Sequence, residues 1–186
     1  SKTAKFIYQI GESKSLREPS KIIPVTQLES ADYKAKFSYI KICMKDYRRL
    51  TGKGRGIAAV QIGIPERFFI LYMPETKEKI KVFINPKITR TSIENYKYPE
   101  ACMSCNSLIA NVARPGWIEF TYYTEKGDVE FWTQKDTTEL GRMYNRVVQH
   151  EIDHLEGIVN IDKVPSSELI FEYSDEYYKK ATFKKI

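Results

Sequence analysis

A chain of 186 residues with 42% hydrophobic and 29% charged content suits one domain that buries a core of its own. No apolar run is long enough to span a membrane and the N-terminus lacks the apolar centre of a secretory leader, so membrane-embedded and secreted classes are set aside. The formal net charge of +6 attracts polyanions in a general way, but without an RNA-recognition or paired zinc-finger pattern it does not point to specific DNA binding.

Taken in order, residues 6–9 form a short apolar run leading into Gly11, and Arg17-Glu18-Pro19 breaks any regular element, which predicts an extended N-terminal arm. Tyr33, Phe37, Ile40, Met44, Tyr47 and Leu50 recur at three- and four-residue intervals and predict an amphipathic helix over 31–50, stopped at Thr51-Gly52. Cys43 in this helix reads as a core-edge thiol. The glycine-rich Gly52-Lys53-Gly54-Arg55-Gly56 lacks the Gly-Lys-Ser/Thr ending of a phosphate-binding loop. Its glycines, Gly56 among them, instead let backbone run close to a bound chain, with Ile57, Ala58 and Ala59 as apolar lining. Gln61 is then either a polar group delivered into a site or a buried structural glutamine. Residues 67–73 and 81–85 read as buried strands, each closed by a proline soon after. Residues 117–133 form a hairpin about Glu125-Lys126-Gly127-Asp128. A last helix is predicted with Asp136 as N-cap, Glu139 as its capping-box partner and Gly157 as stop; Leu140, Met143 and Val147 align with the two histidines on an inward face. Strands that surround one central helix, with no βαβ repeat, predict an α+β fold of mainly antiparallel sheets in one domain over 1–186. Residues from about 165 to 186 are expected to be a helical C-terminal extension, of which the tail at 177–186 is locally basic.

The chain holds only two histidines, and they sit four apart in His150-Glu151-Ile152-Asp153-His154. On a helix this spacing places both imidazoles on one face, where they can hold one metal ion, and puts Glu151 within reach of a proton on a water at that ion. A third ligand has three sources. A downstream glutamate is available at Glu168, Glu172 or Glu176; a third histidine is excluded, because Asn160 stands at the position that would carry it; and Cys102 is free to serve. Cys102-Met103-Ser104-Cys105 also reads as a redox pair or half a zinc knuckle, but no second pair of cysteines exists to complete the knuckle. Three cysteines, an odd number, argue against a disulfide framework and for a reducing compartment such as the cytoplasm.

Three stretches in this order resemble the peptide deformylase family: Gly54-Arg55-Gly56-Ile57-Ala58-Ala59-Val60-Gln61 matches GxGxAAxQ, Glu100-Ala101-Cys102-Met103-Ser104 matches EGCLS, and His150 to His154 matches HExDH. The resemblance runs over about residues 6–164. It implies Cys102, His150 and His154 as metal ligands, Glu151 as general base, and Gln61 with the Met103 backbone N–H as partners of the developing oxyanion. It also implies removal of the formyl group from N-formylmethionyl nascent polypeptides, with release of formate. Gly56, Ile57, Met143 and Val147 are candidates for lining the methionine pocket. Cysteine and histidine donors alone favour zinc; the resemblance implies Fe(II), with nickel, cobalt or zinc able to replace it. It further implies formylated nascent peptides as partners; the +6 charge suits the ribosome surface as another, and a bacterial-type cytoplasm is expected, with mitochondrion or plastid as alternatives. Asp153 or Glu100, with Arg114, would orient the ligands. The sequence departs from the family pattern at Val60, Ala101 and Met103, and a methyl group at 101 is expected to narrow the cleft. A zinc endopeptidase and a metal-binding relative with little turnover are the alternative functions.

Overall fold

The computed structural model describes residues 6–133, 138–171 and 181–186. Helix α1 (Ala31–Thr51) starts where the Ser30 side chain accepts a hydrogen bond from the Tyr33 amide and stops at Gly52, which takes a φ of 73°. A serine oxygen satisfies an amide left without a partner in the first turn, and glycine adopts the left-handed conformation without a Cβ clash. The strands follow as β1 (Gly56–Ala58), β2 (Phe68–Tyr72), β3 (Ile80–Thr91), β4 (Asn95–Cys102), β5 (Cys105–Pro115), β6 (Ile118–Tyr123) and β7 (Val129–Trp132); then come helix α2 (Glu139–Leu155) and the short strands β8 (Ile170–Phe171) and β9 (Lys184–Lys185). One sheet has the order β1-β2-β3-β6-β7 and the other β8-β5-β4-β9, and all strand pairings in both are antiparallel. The architecture is α+β, as the order of elements implied.

The first sheet is covered on both faces, which explains why residues 68–71 read as an unbroken apolar run. Successive strand residues point to opposite sides. Phe68 and Ile70 join Phe37, Ile40 and Met44 of α1 in one core, whereas Phe69 and Leu71 join Tyr144, Val148, Ile152 and Leu155 of α2 in another. Phe83 carries the second core onward, stacked on Phe69 with ring centroids 4.9 Å apart. Helix α2 is thus fixed against the first sheet, with its opposite side turned toward the β4–β5 hairpin.

Four expectations change. Pro86 does not end a strand: β3 runs on past it through a register shift between Ile84 and Lys87, where Asn85 adopts a φ of 48°. The Asn85 side chain offsets this by accepting from the Ile23 amide (3.0 Å) and donating to the Ile23 carbonyl (2.8 Å). Helix α2 is capped by Thr138, whose hydroxyl accepts from the Gly141 amide at 3.1 Å; Asp136 lies outside the described residues. Leu140 is 42% exposed rather than part of an inward face. The C-terminal stretch, where described, contributes the edge strands β8 and β9 instead of a helix, and residues 172–180 lie outside the description.

Candidate metal centre

Cys102 is the last residue of β4, at the mouth of a tight turn that brings it opposite Cys105 on β5. Helix α2 passes this turn with His150 and His154 one helical turn apart. The Cys102 Sγ lies 3.2 Å from His154 Nε2, which lies 3.2 Å from His150 Nε2. Among the described residues, the three donor atoms form a group within 4.8 Å of one another. Tetrahedral bonds of about 2.0–2.1 Å to nitrogen and 2.3 Å to sulfur separate neighbouring ligand atoms by roughly 3.3–3.6 Å. The trio therefore fits a four-coordinate divalent ion with one position left over. Glu168, the described member of the alternative glutamates, stands 3.9 Å from Lys97 Nζ instead of joining the group. Glu172 and Glu176 lie outside the described residues. Cys105 is buried, and burial pushes its thiol up to about 11, which keeps it protonated.

A buried ionic cluster lies beside the candidate ligands. Glu100 Oε2 accepts from His150 Nδ1 at 3.0 Å, which leaves the lone pair of Nε2 facing the trio. The same carboxylate accepts from Arg114 through Nε (2.6 Å) and Nη2 (2.9 Å) and from Arg146 Nη1 (2.6 Å). Burial alone would raise the Glu100 carboxyl, yet Arg114 and His150 outweigh it and hold the group well below the usual carboxylate range. Arg114 also donates to Asp153 at 2.7 Å, so Glu100, Asp153 and Arg114 all belong to one cluster. Arg146 was not singled out from sequence, although it lies one turn before His150; an arginine on a helix face reads as solvated until the opposite strand is known.

Glu151 points into the same space. Burial, only partly offset by the positive fields of His150 and Arg114, pushes its carboxyl up to about 7. Its Oε2 is buried without a hydrogen-bond partner among the described residues, as suits a group that awaits a water or substrate. Gly56 leaves room for it, since a Cβ there would lie 2.5 Å from Glu151 Oε1. Gln61 is buried, and its side chain lies beside the candidate ligand Cys102. Its Oε1 accepts from the Ala58 amide at 2.9 Å, while Nε2 is aimed at Ser104 Oγ (3.1 Å) and Cys102 Sγ (3.7 Å). The N-terminal arm braces this arrangement through Tyr8 N to the Gln61 carbonyl (2.8 Å), Ile10 N to the Ser104 carbonyl (2.9 Å) and Gln9 Nε2 to the Met103 carbonyl (2.9 Å).

A cleft of about 530 Å³ opens onto Cys102, His150 and Glu151. Gly56, Gln61, Met103, Met143 and Val147 line it, together with Tyr98, Arg146 and Phe183, which sequence reasoning missed. Ile57 does not belong with them: it is fully buried in the core against α1, because alternation along β1 turns its side chain away from the cleft. Ala101 is an exposed residue at the cleft wall.

Comparison with known proteins identifies relatives of this chain. A model of the polypeptide deformylase family matches residues 5–169. The chain is 37% identical over 113 residues to a peptide deformylase of Rhizobium meliloti (strain 1021), a match that covers 60% of this chain and 62% of that one, and so less than two thirds of the relative's length. It is 34% identical over 166 residues to the peptide deformylase of Prochlorococcus marinus (strain NATL1A), covering 87% of this chain and 74% of that one. Among solved structures, a probable peptide deformylase from Synechococcus phage S-SSM7 superposes with a TM-score of 0.71 at 29% identity over 85% of this chain and 98% of that one. A peptide deformylase from Synechococcus elongatus in complex with actinonin gives 0.69 at 26% identity over 86% and 80%. The chain belongs to the polypeptide deformylase family, whose members are metal-dependent hydrolases.

Proposed function

We propose that the protein hydrolyses the N-formyl group of formylmethionyl peptides, yielding formate and a free α-amine. The observation that carries this reading is the convergence of Cys102, His150 and His154 beside a buried Glu151 and the Nε2 of Gln61. Cys102, His150 and His154 would hold a divalent ion, Fe(II) being our choice with zinc, nickel and cobalt as substitutes, which would supply Lewis-acid activation of water and of the formyl oxygen. Glu151 takes a proton from the attacking water and returns it to the amide nitrogen as the C–N bond breaks. A carboxyl poised at about 7 can carry out both halves of that transfer near neutral pH. Gln61 Nε2, fixed by the bond between its oxygen and the Ala58 amide, donates to the oxygen on which negative charge develops, and the Met103 N–H is assigned as a second donor. Gly56, Met143 and Val147 line the space assigned to the methionine side chain. We assign the reaction to nascent chains in a bacterial-type cytoplasm, where the +6 charge favours the ribosome surface. No helix among the described residues is long and apolar enough to cross a membrane. By analogy with the S. elongatus relative, actinonin is a suitable competitor for the cleft.

The test is formate release from an N-formylmethionyl tripeptide by protein loaded anaerobically with Fe(II), beside a Glu151→Gln control. Turnover abolished by the control and inhibited by actinonin is the expected result. Metal bound at one per chain with no turnover would overturn the assignment in favour of a relative that binds but does not hydrolyse.

A further inference from the structure

Residues 181–186 lie beyond the family match at 5–169, yet they return to the candidate site. Strand β9 pairs with β4 in the register Tyr96↔Lys185 and Lys97↔Lys184, and the same edge is fastened by an ion pair from Lys185 to Glu94 and by a 3.0 Å bond from the Ile186 amide to the Asn95 carbonyl. One step further along that register, Phe183 faces Tyr98, and the two rings stack with centroids 4.2 Å apart and planes 23° apart. The Arg146 guanidinium lies 5.6 Å from one ring and 5.7 Å from the other, while its Nη1 holds Glu100. Phe183, Tyr98, Met143 and Val147 share the cleft that reaches His150 and Glu151. Met143 lies seven residues before His150 and Tyr98 four before Cys102, so at helix and strand rises both stand roughly 10–13 Å from the ligands along their elements. The stacked pair therefore closes the far end of an apolar wall whose other end is the metal site.

We propose that Phe183 is a specificity-determining residue: with Tyr98 it forms the end wall that limits the length of the first side chain the cleft accepts, and it offers a flat aromatic face to a thioether. Sulfur makes favourable contacts with aromatic rings, and its unbranched chain fits a narrow slot. The inference rests on the deformylase reading for its substrate class, and the experiment separates the two. Specificity constants are compared for formylmethionyl and formylphenylalanyl tripeptides with the wild type, Phe183→Ala and Phe183→Tyr. The expected result is that Phe183→Ala lowers the methionine-to-phenylalanine ratio on the order of tenfold, chiefly through KM with kcat kept within about twofold. Phe183→Tyr retains the wild-type ratio. A lower Tm for Phe183→Ala with an unchanged ratio would reduce the residue to a fastener of the tail and overturn the proposal. Calorimetric binding of a methionyl tripeptide without the formyl group gives a readout that needs no turnover. Weakening of about tenfold in Phe183→Ala supports the wall, and equal affinity overturns it, even if the wild type releases no formate and the deformylase reading fails.

Discussion

The Glu151 carboxylate occupies the space that a side chain at Gly56 would fill: a Cβ at 56 would sit 2.5 Å from Oε1 and 2.8 Å from Cδ. The tip of a flexible carboxylate can move aside, so Gly56→Ala is expected to fold and to bind metal. Its kcat should drop by about a hundredfold, the scale of a displaced general base. Metal content and Tm measured alongside kcat check this; wild-type kcat in the alanine variant would mean that Glu151 has slack the geometry does not suggest.

The Glu100 carboxylate accepts from two buried arginines and a histidine at once. Removing Arg114 leaves that charge with less compensation, and breaking a buried pair in this way costs about 3–5 kcal/mol. Arg114→Met should therefore show a large fall in Tm. Because the folded carboxyl is held below its ordinary value of 4.5, the stability it contributes is present in full above that value and lost as pH falls below it. The variant has less of this contribution to lose, so its stability curve should flatten below about pH 4.5 relative to the wild type. Chemical unfolding followed by circular dichroism at pH 3, 4 and 7 measures the difference; parallel curves would argue against Arg114 as the source of the depression.

Chelation tests the trio. A metal-bound fold gains stability that rises with the logarithm of the site's affinity, so removal of the ion should lower Tm, and readdition should restore it. Cys102→Ser should retain far less than one ion per chain by elemental analysis, whereas Cys105→Ser should retain the wild-type amount because its thiol is kept protonated. Full metal in Cys102→Ser would point to another third ligand.

The arm that precedes α1 has a role in positioning. Gln9→Ala removes the bond to the Met103 carbonyl, worth about 0.5–1.5 kcal/mol, and frees the turn that carries Cys102. We expect a modest rise in KM and a Tm lower by a few degrees. Steady-state kinetics with a formylated tripeptide, beside elemental analysis, checks this; a change in metal content without a change in KM would be the opposite result.

Much of this protein was readable from local pattern. Residues 31–50 announce a helix because apolar side chains recur at its period and Thr51-Gly52 marks its end; His150, Glu151 and His154 announce a candidate metal site because four residues make about one turn. Each of these relationships is enclosed within one element, and the chain's own geometry determines it. Which surface covers that element is a different matter. Met143 and Val147 carry the same apolar signal as a core stripe, yet they face a cleft, while Ile57 faces a core; only the placement of β4 opposite α2 distinguishes them. Arg146 reads as a solvated charge until Glu100, distant in sequence, arrives beneath it. Phe183 reads as part of a basic tail until β9 pairs with β4. Sequence periodicity records which face of an element is apolar or charged, but burial and electrostatic partnership are properties of two surfaces, and the second surface is supplied by strand pairing across long stretches of chain.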